Sequence, residues 1–187
     1  MTALRERIID FLYQTATGAK RLRLLLTPIF GLVFSLVVAL LILVSFCLDG
    51  FFGWSPWIVP PWREIIALPF LAGGALLWLW CAGKFLKTRG TPVPVNPPPR
   101  LITDGPYAYS RNPMMTGLFM VMAGIGIFFG SVTLTFIMTP LFVSASLLEF
   151  RYIEEPELAM RFGKAYTDYK EKTPIIIPRI GRKRKHP

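Results

Sequence analysis

Apolar and charged positions divide the chain into long uncharged runs separated by short polar stretches. Residues 28–48 and 65–83 carry no charge. Each is long enough, at 1.5 Å per residue, to cross a hydrocarbon core of roughly 30 Å as one helix. A third uncharged run extends from residue 112 to residue 148. As a single helix it would reach about 56 Å, so the run must fold in two. Gly130-Ser131 is the natural turn, which predicts a tight helical hairpin with arms over 113–129 and 132–148, the second bent at Pro140. The expected fold is therefore an all-α polytopic membrane protein with about four transmembrane helices.

The intervening segments have patterns of their own. Residues 1–27 mix Arg5, Arg7, Lys20, Arg21 and Arg23 with Leu4, Ile8, Ile9, Phe11 and Leu12, as a short helix lying at the membrane surface does. Trp54, Trp57 and Trp62, among prolines, predict an interfacial loop. Pro69 and Gly73-Gly74 allow a kink or a close helix contact in the second span. The proline-rich residues 90–99 predict an extended, stiff strut. In the tail, Leu158, Phe162, Tyr166 and Tyr169 fall on one helical face. Glu155-Pro156 gives that helix a start and Thr173-Pro174 a stop. Ile175-Ile176-Ile177-Pro178 is expected to return to the interface before a basic end. The division that follows is an amino-terminal membrane region, 1–83, and a core, 84–187, of loop, hairpin and tail.

Charge sharpens this picture. The chain has 187 residues, 53% of them hydrophobic, yet 21 Lys+Arg against 11 Asp+Glu. Nucleic-acid binding explains a basic excess but not several spans, whereas a membrane explains both. Basic residues concentrate before residue 28, in 84–112 and in the tail, while the 49–64 loop holds only Arg63. With four spans the three basic segments share a side, and the positive-inside rule makes it the cytoplasm, with both termini there. This fits a bacterial inner membrane or the endoplasmic reticulum, with anionic lipids at the cytoplasmic face. The charged residues before the first apolar run speak against a cleavable signal peptide. Cys47 and Cys81 sit in apolar runs as core or lipid-facing residues. His186, the only histidine, lies in the basic tail, which removes Ser-His-Asp catalysis and leaves no expected metal site.

Several constellations are able to carry chemistry. Tyr107, Tyr109, Arg111 and Asn112 precede Pro113 at a helix start, where free backbone N–H groups make a donor-rich place for a carboxylate or phosphate. The competing reading is an arginine snorkelling to headgroups within an aromatic belt. Gly124 and Gly126 fit close helix packing or close approach of a ligand. Glu154 and Glu155 fit a cation, ribose or ammonium site, or a helix start with local salt bridges. Tyr166 and Tyr169 either pack their helix or stack on a ligand.

Taken together, Gly90-Thr91-Pro92, the proline stretch, the run Gly105-Pro-Tyr-Ala-Tyr-Ser-Arg-Asn-Pro-Met-Met-Thr-Gly117 and the tail with Glu154-Glu155, Leu158, Arg161-Phe-Gly163, Tyr166, Tyr169 and Pro174 resemble the integral-membrane methyltransferases related to isoprenylcysteine carboxyl methyltransferase and phosphatidylethanolamine N-methyltransferase. The resemblance covers about residues 84–180. It implies methyl transfer from S-adenosylmethionine to a lipophilic, membrane-embedded acceptor such as an isoprenylcysteine carboxylate or a phospholipid amine. It implies cofactor contacts from Tyr107, Arg111, Asn112, Pro113, Gly124, Gly126, Glu154, Glu155, Tyr166 and Tyr169, with Arg111, Asn112 and Glu155 nearest the chemistry. Asn112 stands where the isoprenylcysteine branch generally has histidine, which weakens transfer of that branch's substrate. Two alternatives are an NADPH-dependent sterol-type reductase, a related core usually found in longer chains, and a non-catalytic lipid-binding protein.

Overall fold

The computed structural model describes residues 2–176, and every regular element among them is helical. Helix α1 (Thr2–Thr17) is followed across Gly18-Ala19 by α2 (Lys20–Phe51). This first span starts well before residue 28 and runs through Asp49-Gly50. Pro28 lies inside it, which leaves the carbonyl four residues earlier without its usual donor but does not end the helix. Likewise α3 (Trp62–Lys87) overruns the uncharged window at both ends. A helix continues for as long as its backbone bonds are met, and a change from apolar to charged side chains does not interrupt them.

The hairpin turns where expected. Asn112 caps α4 (Pro113–Phe129), its Oδ1 accepting from Met115 N, with Pro113 at the helix start. At the other end Gly130 takes a left-handed conformation, φ 67°. Ser131 N then donates to Gly126 O and Gly130 N to Ile127 O, the paired bonds that close a helix at such a residue. The return arm is restarted from outside the hairpin: Asp49 of α2 accepts from Thr133 N, Thr133 Oγ1 and Ser131 Oγ.

Beyond the turn the structure departs from the expected pattern. There is no break between a fourth span and a tail helix. A single 30-residue rod, Thr133–Phe162, combines a π segment Thr133–Met138, α5 (Thr139–Glu149), a second π segment Phe150–Glu154 and α6 (Glu155–Phe162). Pro140 and Pro156 each stand in the first turn after a π segment, where the missing N–H of proline removes no required bond. Glu155-Pro156 is therefore a change of helical pitch rather than a new start. The tail is broken instead at Gly163, φ 53°, before α7 (Lys164–Lys172).

The expected proline strut is a folded loop. Thr91 N and Oγ1 both donate to Asn96 O, Asn96 N donates to Val93 O, and Gly90 lies against Pro98 so closely that a Cβ would come within 2.3 Å of Pro98 Cα. Prolines fix φ, but the direction of the chain is decided by the residues between them.

Three helices are long and apolar enough to cross a membrane, Lys20–Phe51, Trp62–Lys87 and Thr133–Phe162, and Pro113–Phe129 is a shorter apolar helix. Their outward faces leave Leu36, Leu40, Leu68 and Leu76 exposed, a surface suited to lipid rather than water. Helices α3 and α4 form the tightest seam. A Cβ on Gly74 would stand 2.6 Å from Gly117 O, and one on Gly117 2.8 Å from Gly74 O, so the backbones meet directly.

Candidate functional site

At one end of the bundle, the residues ahead of α4 meet the far end of the rod and the tail. The three-residue stretch Ser110–Asn112 is tied to the chain beyond α7: Arg111 N donates to Pro174 O at 2.8 Å, Asn112 N to Ile175 O at 3.1 Å, and Ser110 Oγ to Ile175 O at 2.6 Å. Ile175 thus pairs with the loop ahead of α4, while residues 177–187, with the rest of that motif and the basic end, lie outside the described residues. Tyr169 adds a further tie, its hydroxyl donating to Tyr107 O at 2.6 Å.

These ties border a cleft that is partly open to solvent and encloses a cavity of about 90 Å³. Tyr107, Arg111, Glu154, Tyr166 and Tyr169 line it, as do Leu158 and Phe162, so the expected aromatic stripe faces one space despite the break at Gly163. Glu155 reaches this group through its charge. It is buried, and its two oxygens are shared between the Arg111 guanidinium and the Lys170 ammonium. Behind the cleft, Tyr107 packs with Cys81, Ile102 and Met114, its ring edge-on to Phe85 at 5.9 Å. Burial raises the Tyr107, Tyr166 and Tyr169 phenols above their ordinary range, so all three remain neutral donors.

The other expected residues serve the framework. Asn112 spends its side chain on the α4 cap. Pro113 is buried at the start of α4 and lines a separate apolar groove with Trp80 and Tyr109. Gly124 packs on Leu71 of α3 and Gly126 on Thr135 across the hairpin, which is the close-packing alternative, and neither lines the cleft.

Glu149 and Leu12 of α1, and Glu157, Arg161 and the proline loop, which the sequence reading placed in the motifs but not among the site residues, also line the cleft. Glu157 and Arg161 carried a signal: an acid four residues before a base on one helix, the favourable order for a pair, here at 3.4 Å. Leu12 carried none, because its contact spans most of the chain. Lys84 pairs with Asp104 beside the cleft and holds that carboxyl below its ordinary range.

Several buried polar atoms around this space are incompletely bonded: Arg111 Nε has no hydrogen-bond partner, the Tyr166 hydroxyl has only the neighbouring Arg111 guanidinium, and Glu157 Oε1 and Arg161 Nε have only each other, at 3.4 Å. Polar atoms so weakly bonded cost free energy unless something polar completes them, so their gathering along one cleft marks a place suited to a polar, charged ligand. Among the described residues no group of three or more His, Cys, Asp or Glu is arranged to hold a metal.

An all-helical integral-membrane protein with a polar cleft at one end of its bundle is the class that this fold and site define. Residues 62–165 match the phospholipid methyltransferase family, and with more than half of its length so matched the chain belongs to that family. The matched stretch takes in α3, the loop, the hairpin and the rod to its end at Phe162, and stops at Ala165, before Tyr166 and Tyr169. Over 86 residues the chain is 36% identical to a protein-S-isoprenylcysteine O-methyltransferase of Schizosaccharomyces pombe, covering 43% of this chain and 34% of the relative. Over 102 residues it is 29% identical to the nickel-cobalt-cadmium resistance protein NccN of Alcaligenes xylosoxydans xylosoxydans, covering 54% of this chain and 43% of that protein. The chain therefore spans less than half the length of either relative. No solved structure matches it.

Proposed function

We propose that this protein transfers a methyl group from S-adenosylmethionine to a lipophilic acceptor that reaches the site through the bilayer, at the cytoplasmic face. The observation that carries this reading is the cleft itself. Two sequence motifs, separated by a helical hairpin, come together around a space lined by charged and phenolic side chains whose hydrogen bonding is incomplete.

S-adenosylmethionine, when bound, supplies an electrophilic methyl group on a sulfonium. The residues present suit its polar parts. Arg111 and Arg161 offer guanidinium N–H groups to a carboxylate, Glu154 and Glu157 accept from an ammonium or ribose hydroxyls, and the Tyr107, Tyr166 and Tyr169 rings offer faces to a cation. Their chemical task is alignment and exclusion of water, which alone supply a large share of a displacement barrier. A carboxylate acceptor attacks with its own lone pair and needs no base. The acceptor class, an isoprenylcysteine carboxylate, a phospholipid amine or a similar small lipid, is supported by the two branches resembled and by the relative's name.

Calorimetric titration of the folded protein with S-adenosylmethionine, alongside NADPH, tests the donor. Binding of the sulfonium donor with no response to NADPH is expected, and the reverse preference overturns the proposal. Isotope-labelled donor supplied with total membrane lipid then identifies the acceptor. A non-catalytic lipid-binding role predicts instead that Arg111→Ala and Glu155→Gln change neither donor binding nor label transfer.

A further inference from the structure

Helix α1 presents three different faces. Ile9, Leu12 and Ala16 are buried against the rod, where Arg5 Nε also donates to Tyr152 O at 2.7 Å. About a third of a turn away stand Glu6 and Asp10, both exposed. On the remaining side Leu4, Ile8 and Phe11 recur at helical spacing and are 67%, 36% and 49% exposed, with Arg7 between them. An apolar stripe of this kind, separated from an acidic face, has no cover within the described residues.

What covers it is set by where the helix sits. Only Gly18 and Ala19 separate α1 from α2, the first membrane-spanning helix, so α1 is held at the boundary of the bilayer. Lys20 and Arg21, at the start of that span, are exposed and add to the positive charge of Arg7. Apolar side chains flanked by basic ones, with the acids turned aside, match a leaflet that is apolar beneath and anionic at its surface.

We propose that α1 is a membrane-surface arm whose Leu4, Ile8 and Phe11 enter the headgroup region of an anionic leaflet while the adjoining face, one turn beyond Ile8, carries Leu12 into the wall of the cleft. The cleft wall is thereby fastened to the lipid surface, and its position responds to lipid charge. The proposal rests on the membrane placement of α2 and not on the methyl-transfer reading, so it stands or falls separately.

The test uses the full chain, with Cys47→Ser, spin-labelled through single Ile8→Cys, Phe11→Cys or Asp10→Cys substitutions. The protein is reconstituted in phosphatidylcholine vesicles with and without phosphatidylglycerol. Collision with oxygen is expected to exceed collision with a water-soluble nickel chelate at 8 and 11, with the order reversed at 10. Phosphatidylglycerol should deepen the labels at 8 and 11, and Arg7→Glu with Arg21→Glu should abolish that deepening without lowering the thermal midpoint. Nickel collision dominating at 8 and 11 overturns the proposal. So does insensitivity to phosphatidylglycerol, and so does shielding from both reagents that vanishes when protein is diluted in lipid, because that marks a second copy as the cover.

Discussion

At the residue scale, Arg111 and Glu155 form the most consequential pair. Both side chains are more than nine-tenths buried, so each depends on the other for its charge to be tolerable. Arg111→Ala leaves Glu155 with Lys170 alone and should cost about 3 kcal/mol, read as a shift in denaturant midpoint in detergent. Replacing both by methionine should cost less than the single change, because no lone charge then remains inside. Tyr166 offers the opposite experiment. Its buried hydroxyl makes no well-formed hydrogen bond and has only the Arg111 guanidinium beside it, so Tyr166→Phe should change stability by no more than about 1 kcal/mol, while donor affinity falls if that hydroxyl serves the ligand. The phenols also set an alkaline limit. An unfolded tyrosine ionises near pH 10, whereas Tyr107, Tyr166 and Tyr169 resist ionisation when folded. Their contribution to stability is complete below that pH and is lost as pH rises beyond it, which phenolate absorbance and unfolding measured together will show.

At the scale of elements, helices are joined by caps and close contacts that local sequence only partly announces. The 113–129 arm was legible because Asn112, Pro113 and Gly130 each carry their reason within a few residues. The return arm was half legible. Its start depends on Asp49, more than eighty residues away in sequence, so no local pattern reports it. Asp49→Ala should cost about 1–2 kcal/mol, as loss of a helix cap does, while leaving donor affinity intact, because the cap lies at the opposite end of the hairpin from the cleft. By contrast Gly74→Leu forces α3 away from the α4 backbone. A loss of about 3 kcal/mol is expected, with aggregation in detergent as the visible sign. The rod from Thr133 to Phe162 was misread as two elements because charge returns at Glu149. A return of charge does not interrupt backbone bonds, and the helix continues through Phe150–Glu154 as a π segment.

At the scale of the whole molecule, the cleft draws on α1, α3, the proline loop, the segment before α4, the rod and the tail. All three basic segments contribute to that end of the bundle, which is what four spans with an odd-and-even charge bias require. The charge bias is the reason for the proposal that this end faces the cytoplasm. Cysteines introduced at exposed Arg100 and, separately, at exposed Phe52 should be labelled by an impermeant maleimide from opposite sides of sealed vesicles, the former from the cytoplasmic side. Labelling of both from one side would remove the four-span topology.

The sequence by itself determined the membrane class, the hairpin and the two motifs that form the cleft, because apolar run length, turn chemistry and helix spacing are local properties. Tertiary structure decided which motif residues face the cleft. Gly124, Gly126 and Asn112 went to packing and capping, while Glu157, Arg161 and Leu12 came in from positions whose roles depend on distant neighbours. It also folded the proline strut into a wall and tied Ile175 to the loop before α4. The physical reason is the same in each case. Spacing along a helix says which residues share a face, and only the elements packed around that helix say what the face looks upon.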